Sequence, residues 1–291
     1  MNGLASQWSD PRQLIQDAAD ALGDEGRSLA RLLLDDYPAS ALRPAAELLR
    51  ASGLPYRALA DLAAAAGFDG LAELQWRVRE EQDRELRTPR QRYTARIGAG
   101  GAGPLVERAA GHEAENVRRT LRELAAGDDL ERAASAIAAA RTRYLVGERK
   151  SHAFALLLAA DLSAVLPDVH VLGDRGGRDV DALLDAGPAD VAVAFGMRRY
   201  STGTLDLVRA LRGRGVPVVG VTDAPDSPLA GLSDHVLVAA TASTSFTDSP
   251  TAVAATVHAL SLVVAARTKG ARRRLARREE AARALSVYRE P

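Results

Sequence analysis

The chain has 291 residues, of which 47% are hydrophobic and 26% are charged, and its 38 basic and 38 acidic residues cancel. This composition is globular, which excludes a disordered polar chain and a collagen-like repeat. The absence of cysteine excludes disulfides, thiolate metal sites and a cysteine nucleophile, and it fits a cytoplasmic location. No stretch approaches the roughly 20 apolar residues of a membrane span, so we expect no membrane partner. The length favours two domains of roughly 100 to 200 residues each.

The first third of the chain is predicted to be all helical. Apolar residues recur at helical spacing from Pro11 to about Arg87, and no alternating strand pattern is found there. We therefore predict a helical domain over residues 1–90. The glycine-rich stretch 91–104 that follows predicts a linker that breaks any helix.

Three glycines of this linker fit the G-x-G-x-x-G pattern of dinucleotide-binding loops. The motif needs a buried strand before its first glycine, whereas residues 92–96 are polar, so a linker is the better interpretation. We predict that the chain uses no cofactor. The three glycines are Gly98, Gly100 and Gly103.

Residues 45–75 have the pattern of a helix-turn-helix. One helix is predicted over Ala45–Ser52, and Gly53 suits its left-handed cap because glycine has no Cβ. A second helix is predicted to begin near Tyr56. An ordinary helical hairpin is the alternative interpretation of this pattern.

The run GFDGLAEL at residues 67–74, together with Glu47-Leu48 and Gly53-Leu54, resembles the N-terminal domain of RpiR/MurR-type transcriptional regulators. The resemblance implies that a DNA operator is a partner of the chain. It also implies which side chains contact the DNA, namely Arg50, Tyr56 and Arg57.

The predicted second helix is poor in groups that bind DNA. Regulators of this family usually carry Ser, Thr and Arg at this helix, whereas Pro55, Ala58 and Asp61 stand at the corresponding places here. Residues 1–76 hold six arginines and eleven acids, a net charge of six minus eleven, or −5. Because phosphate neutralisation supplies much of the affinity for DNA, we expect DNA binding to be weakened.

The chain beyond the linker has the pattern of an α/β domain, which we assign to residues 105–291. Two helices are predicted over Leu105–Leu124 and Leu130–Ala140, and then short β-rich runs alternate with helical ones. This spacing predicts a five-stranded parallel sheet flanked by helices, followed by a long C-terminal helix. The five predicted strands are 143–146, 169–172, 191–195, 216–221 and 235–238.

Two predicted strand–loop–helix turns carry groups that suit an anion. The first loop places Arg149 and Ser151 at a helix N-terminus, where backbone N–H groups and a hydroxyl can meet an anionic oxygen. The loop after the third strand supplies two arginines and two hydroxyls at the edge where open α/β sheets bind ligands. A helix cap without a ligand and solvent-exposed arginines are the alternative interpretations. The residues of this second loop are Arg198, Arg199, Ser201 and Thr204.

These loops, with the run TDAPDSPLA at residues 222–230 and Ser233-Asp234, resemble a SIS (sugar isomerase) domain over about residues 105–282. The resemblance implies that the loops bind a small anionic metabolite, either a sugar phosphate or a related acid. Arg149 and Arg199 replace small residues of the family pattern, so an anionic ligand other than a standard phosphosugar stays open as an alternative. A run at residues 245–249 resembles the SFxDS segment of these regulators and adds Ser245 to the candidate ligand residues. A cap of the following helix is the alternative interpretation of its hydroxyls.

The order of helix-turn-helix, linker and SIS domain is that of RpiR/MurR regulators, so we expect a one-component transcription factor and not an enzyme. The five histidines never fall at ligand spacing, and we predict neither a metal site nor a catalytic residue. We expect a homodimer or homotetramer, formed through the apolar faces of helices 105–124 and 251–266.

Two other functions stay open from the sequence. A phosphosugar isomerase would need a general base, which would be sought at Glu148 or His152. A ligand-binding protein whose helical domain serves only assembly would explain the acidic second helix. The basic run 267–278 is either a DNA contact or a solvated helix face.

Overall fold

The computed structural model describes residues 10–85, 88–96, 102–173 and 178–288. The chain forms two compact units, of which the first contains residues 1–100 with 244–247 and the second contains residues 101–243 with 248–291. Where it is described, the first unit is helical, and the second unit is built on a parallel sheet. The predicted fold class is therefore confirmed.

The described part of the first unit contains helices α1 (Pro11–Ala21), α2 (Gly23–Leu34), α3 (Ala45–Ser52), α4 (Tyr56–Ala65), α5 (Leu71–Glu85) and α6 (Pro89–Arg96). Helix α1 begins with Pro11, a residue that suits the first helical turn, after Asp10 as its cap. The Asp10 carboxylate accepts a hydrogen bond of 2.8 Å from the backbone N–H of Arg12. Apolar side chains of successive helices form one core, in which Ile15, Leu29, Leu33, Leu48, Leu59 and Leu62 are fully buried.

Helix α6 contradicts the first part of the predicted linker. Thr88 Oγ1 accepts a hydrogen bond from the Gln91 N–H, and the Gln91 side chain accepts one in return from the Thr88 N–H. This capping box, with Pro89 in the first turn, starts a helix within the stretch that we predicted to be irregular. Gly98 and Gly100 lie outside the described residues, whereas Gly103 lies in the first turn of the next helix.

The described part of the second unit contains strands β1 (Arg143–Val146), β2 (Val169–Leu172), β3 (Val191–Gly196), β4 (Val218–Thr222) and β5 (His235–Val238). They form one parallel sheet in the order β2-β1-β3-β4-β5. Its helices are α7 (Ala102–Ala126), α8 (Asp129–Ala139), α9 (Lys150–Val165), α10 (Arg178–Asp185), α11 (Thr202–Gly213), α12 (Thr251–Arg267) and α13 (Ala271–Ala284).

Alternating side chains of the strands build a core on each face of the sheet. Leu145 of β1 packs in the cluster that contains residues of α8, α9 and α12. Its neighbours Tyr144 and Val146 pack in the opposite cluster, which contains residues of α11. All six residues of β3 are buried, as expected for the central strand of a sheet that is covered on both faces.

No single described helix is long and apolar enough to cross a membrane. Helices α12 and α13 meet the length and composition criteria only as a pair, and they are bent by 109° at the break between them.

Asp190 holds the start of the sheet together. Its buried carboxylate accepts hydrogen bonds from Arg141 Nε at 2.9 Å and from Arg141 Nη2 at 2.8 Å. It also accepts hydrogen bonds from the backbone N–H groups of Thr142 and Gly187. The hydrogen bond from Arg141 is the main cause that lowers the pKa of Asp190 below its usual value, and the backbone N–H of Gly187 adds to it.

We predict that Asp190 makes the stability of the second unit sensitive to acid. Because the pKa of Asp190 is lowered by folding, its contribution is present above the unfolded-state pKa and is lost as the pH falls through the folded pKa. The substitution Asp190→Asn should lower the unfolding free energy by about 2 kcal/mol near neutral pH and flatten its dependence on acid. Urea unfolding from neutral pH to about pH 3 measures both effects.

A matched control is Asp206→Asn. Asp206 is 71% exposed and pairs with Arg209 on the surface of α11 at 2.6 Å. This substitution should change stability by less than about 0.5 kcal/mol, and an equal loss in both variants would contradict the role assigned to Asp190.

Candidate functional site

The order of the strands places a topological switch point between β1 and β3. These two strands are neighbours in the sheet, and the chain winds from them in opposite directions, to β2 on one side and to β4 on the other. Crevices at the carboxyl ends of such a strand pair are where open α/β sheets bind ligands. The loops that follow β1 and β3 are the two that the sequence singles out.

Two glycines allow the ends of β1 and β2 to come together. A Cβ atom on Gly147 would lie 2.7 Å from the carbonyl oxygen of Ser151, and one on Gly173 would lie 2.7 Å from that of Gly147. Both contacts are with backbone, which cannot move aside as a side chain can. The turn from β1 into α9 is therefore tight, and the first loop stays close to the sheet.

A cavity of about 530 Å³ lies at this edge of the sheet. It is formed by the loops that follow β1, β2 and β3, and all of its walls belong to the second unit. Its lining residues are Glu148, Arg149, Gly173, Arg199, Tyr200, Ser201 and Thr202.

The two arginines of the cavity lie in backbone conformations that side chains rarely adopt. Arg149 has φ 56° and ψ −125°, and Arg199 has φ 62°. Such conformations cost on the order of 1–3 kcal/mol for a residue other than glycine, and they concentrate at binding sites. Both side chains are exposed at the cavity, so two guanidinium groups are presented to a ligand.

Glu148 is buried against the first turn of helix α11. The residue is 8% exposed, and its carboxylate accepts a hydrogen bond from the Ser201 hydroxyl. A Cβ atom on Gly203 would collide with the same carboxylate, so Glu148 lies against the first turn of α11. His152, the other candidate base of an isomerase, places its Nδ1 3.0 Å from the carbonyl oxygen of Gly147.

Asp223, which follows β4, holds the loop after β3 in place through hydrogen bonds. The Tyr200 hydroxyl donates a hydrogen bond of 2.8 Å to Asp223 Oδ1, and the backbone N–H of Arg198 donates one of 3.1 Å to Oδ2. Burial raises the pKa of Asp223 despite these hydrogen bonds. Burial, followed by the charge of Asp223, also raises the pKa of Tyr200, so this phenol stays protonated as a donor.

The structure brings three of the predicted ligand residues to the cavity, namely Arg149, Arg199 and Ser201. Arg198 does not line it, because its guanidinium Nε lies 3.7 Å from the Asp223 carboxylate. Thr204 is buried in α11 at 2% exposure. Ser151 is half-buried in α9.

Ser245 is also outside the cavity, since residues 244–247 group with the first unit and not with the sheet. Sequence reasoning missed Tyr200, Thr202 and Gly173 as cavity residues, and it treated Glu148 only as a base. Gly203 was the sequence signal that could have indicated a buried group on the first turn of α11, because a glycine there leaves room for the Glu148 carboxylate.

A second cavity, of about 690 Å³, lies at the opposite edge of the sheet. One of its walls is Arg143, whose buried guanidinium donates hydrogen bonds to the carbonyl oxygens of Ile137, Ala138, Arg141 and Pro167. We place the candidate ligand site at the other edge, where the N-termini of α9 and α11 converge. The cationic residues that line this second cavity are Arg141, Arg143, Arg267, Lys269, Arg273, Arg274 and Arg277.

The two helices of the predicted helix-turn-helix are present in the first unit as α3 and α4. Gly53 caps α3 in the left-handed conformation, with φ 68°. Ala58, Leu59, Leu62 and Ala63 bury one face of α4. Tyr56, at 62% exposure, and Arg57 lie on its other face, and Arg50 is exposed on α3.

Arg57 is not the only charged group on the exposed face of α4. Its Nε lies 3.7 Å from the Asp61 carboxylate, and both side chains are exposed. The acid therefore offsets the cation that the family resemblance assigns to DNA. Among the described residues, no group of three His, Cys, Asp or Glu side chains is placed to hold a metal ion.

Comparisons with known proteins agree with this geometry. A model of the SIS domain matches residues 136–263. The structure of the sugar isomerase domain of an RpiR transcription factor from Sphaerobacter thermophilus is 31% identical, with a TM-score of 0.57. The match covers 62% of this chain and 98% of that domain. The chain belongs to the RpiR family.

A likeness in fold to a second solved structure extends over almost the whole chain. The Vibrio vulnificus NanR protein, solved as a complex with ManNAc-6P, matches 95% of this chain and 99% of its own, with a TM-score of 0.54. Its sequence identity is 15%, so this likeness concerns the fold. No curated protein matches the sequence at a significant level.

We predict that the strained backbone conformation of Arg149 at the cavity lowers the stability of this RpiR-family chain. The substitution Arg149→Gly should raise the unfolding free energy by about 1 kcal/mol, because glycine adopts φ 56° without strain. Thermal or urea unfolding measures the change. The control Arg209→Gly, in the middle of α11, should lower stability by about 1 kcal/mol. Loss of stability in both variants would show that Arg149 is not strained.

Proposed function

We propose that this RpiR-family protein is a DNA-binding transcriptional regulator whose SIS domain senses an anionic metabolite, a sugar phosphate or a related acid. The observation that carries the proposal is the cavity at the switch point, where Arg149 and Arg199 present two guanidinium groups in the same chain as a helix-turn-helix. Guanidinium pairs bind carboxylate and phosphate groups with directed hydrogen bonds.

The comparison with NanR supports an effector of this kind. That protein was solved with the sugar phosphate ManNAc-6P, and it shares the fold of this chain over almost its whole length. We extend the binding of a small sugar-derived anion to this chain, at the cavity lined by Arg149, Arg199 and Ser201.

The helix-turn-helix domain, which we assign to residues 1–90, would contact the operator. Arg50, Tyr56 and Arg57 are exposed, as a contact with phosphates or base edges requires. The SIS domain, which we assign to residues 105–291, follows after the segment 91–104.

We further propose that the regulator acts as a homodimer or homotetramer. Leu262 of α12 is 63% exposed and Leu121 of α7 is 38% exposed, so both helices offer apolar surface to a second copy. Effector binding would then shift two helix-turn-helix units relative to operator half-sites about one helical turn apart.

Fluorescence anisotropy tests the DNA-binding part of this proposal. Purified full-length protein is titrated into labelled DNA from upstream of its own gene, at two salt concentrations and with unrelated DNA as competitor. We expect specific binding that weakens steeply with salt. If no DNA binds at low salt, with or without sugar phosphates and sugar acids, the protein is instead a ligand-binding assembly module.

Asp61 gives a sharper prediction for the same assay. The substitution Asp61→Asn removes the carboxylate beside Arg57, so it should raise DNA affinity roughly five- to tenfold and steepen the salt dependence by about one phosphate contact. Asp24→Asn is the control, because Asp24 also pairs with an arginine but lies on α2. Unchanged affinity in Asp61→Asn, or an equal gain in the control, would mean that α4 does not face DNA.

A further inference from the structure

The second cavity, at the edge of the sheet opposite the candidate ligand site, collects positive charge. It lies within the second unit, between the turn that leads into β1, the segment that joins α9 to β2, and the junction of α12 with α13. Its volume of about 690 Å³ is within the range of roughly 300–1,000 Å³ that is usual for small-molecule sites. Seven of its lining residues are cations, and no described Asp or Glu lines it.

Most of these cations have no acid to offset their charge. Asp190 pairs with Arg141, and Glu131 pairs with Arg267. In the described parts of the chain the other cations form no ion pair, so seven minus two, or five, positive charges are left at the cavity. Like charges at close range repel one another, and an anion in the cavity would relieve this repulsion. The five cations are Arg143, Lys269, Arg273, Arg274 and Arg277.

Arg143 is the buried member of this group. It is 3% exposed, and its guanidinium donates hydrogen bonds to four backbone carbonyl oxygens. Carbonyl oxygens satisfy N–H groups but carry no net charge, so they do not neutralise the cation. Burial lowers the pKa of Arg143, although the charges of Asp168 and Asp190, which do not line the cavity, act in the opposite direction. A bound anion would supply the missing counter-charge.

The first turn of α13 is a second place where positive charge is left without an offset. Gly270, with φ 88°, precedes the helix without a side-chain cap, and the first turn holds no acid. Arg272, Arg273 and Arg274 occupy this turn instead. Because the helix dipole places partial positive charge at an N-terminus, cations there are disfavoured. An anion beside this turn would offset both the dipole and the arginines.

The spacing of the cations suits an extended anion. Lys269, Arg273 and Arg277 follow one another at intervals of four residues, and all three line the cavity. On α13 this interval puts Arg273 and Arg277 on one face, about 6 Å apart along the axis. A single phosphate is too compact to meet such a row, whereas linked phosphates present anionic oxygens along it. A DNA duplex is too wide to enter the cavity and could contact only its rim.

We propose that this cavity is a second anion site, which binds the triphosphate chain of a nucleoside triphosphate or of an inorganic polyphosphate. Lys269, Arg273 and Arg277 bind successive phosphate groups, and Arg143 supplies a fixed positive charge at the buried wall. The site lies at the opposite edge of the sheet from the cavity of the proposed function, so this inference does not rest on that function.

Isothermal titration calorimetry on the full chain tests the proposal with three probes: inorganic tripolyphosphate, ATP and orthophosphate. We expect tripolyphosphate or ATP to bind at least roughly tenfold more tightly than orthophosphate, because a triphosphate chain meets more of the cations. The first two probes also distinguish the sources of the chain. Tighter binding of ATP would identify a nucleotide, and equal or tighter binding of tripolyphosphate would identify the inorganic chain.

Two double variants locate the binding. Arg273→Gln with Arg277→Gln removes two exposed cations of the row, and it should weaken the tighter of the two triphosphate probes at least roughly tenfold. Arg214→Gln with Arg278→Gln is the matched control, since it makes the same change in net charge at exposed arginines that do not line the cavity. The control should weaken binding by less than about twofold.

Three results would overturn the proposal: binding of neither triphosphate probe, equally tight binding of orthophosphate, or an equal loss in the two double variants. If neither probe binds and the Arg273→Gln, Arg277→Gln variant loses affinity for DNA in the anisotropy assay, these arginines contact DNA instead. On the unaltered protein, that assay decides the proposed regulator without reference to the second cavity. Either proposal can therefore fail while the other stands.

Discussion

The pairing of β1 with β3 is the constraint from which the candidate site follows. Because the chain winds away from these neighbours in opposite directions, the loops at their carboxyl ends meet over one crevice. Each loop then enters a helix, so two helix N-termini are directed at the same small volume. The close backbone contact of Gly147 and Gly173 holds the ends of β1 and β2 together beside this volume.

Within that crevice, neighbouring arginines have different surroundings. Arg198 is directed to Asp223, which also receives the Tyr200 hydroxyl, so this cation and acid hold the loop in place. Arg199, one residue further on, has positive φ and lies at the cavity. Of these two adjacent arginines, Arg198 therefore supports the loop, whereas Arg199 lines the cavity.

Much of the fold could be predicted from the sequence, because strands buried on both faces read as short apolar runs. The bounds of β1, β2 and β5 agree with the prediction, and β4 begins at Val218 instead of Val216. Helix α6 was missed because glycine composition outweighed the local signal of Thr88, Pro89 and Gln91. In the site, residue types predicted an anion-binding edge, but the direction of each side chain depends on dihedrals and partners distant in sequence. Glu148 is the example, since its partner Ser201 follows 53 residues later.

Arg143, at the start of β1, is an arginine whose role a lysine could not fill. Its planar guanidinium reaches four carbonyl oxygens, two at the end of α8, one in the turn before β1 and one before β2. A lysine has one nitrogen at the end of a flexible stem and cannot span these separate points. Replacement of arginine by lysine conserves charge and is often treated as a neutral change. At position 143 it would remove the planar group whose hydrogen bonds set the spacing of three chain segments.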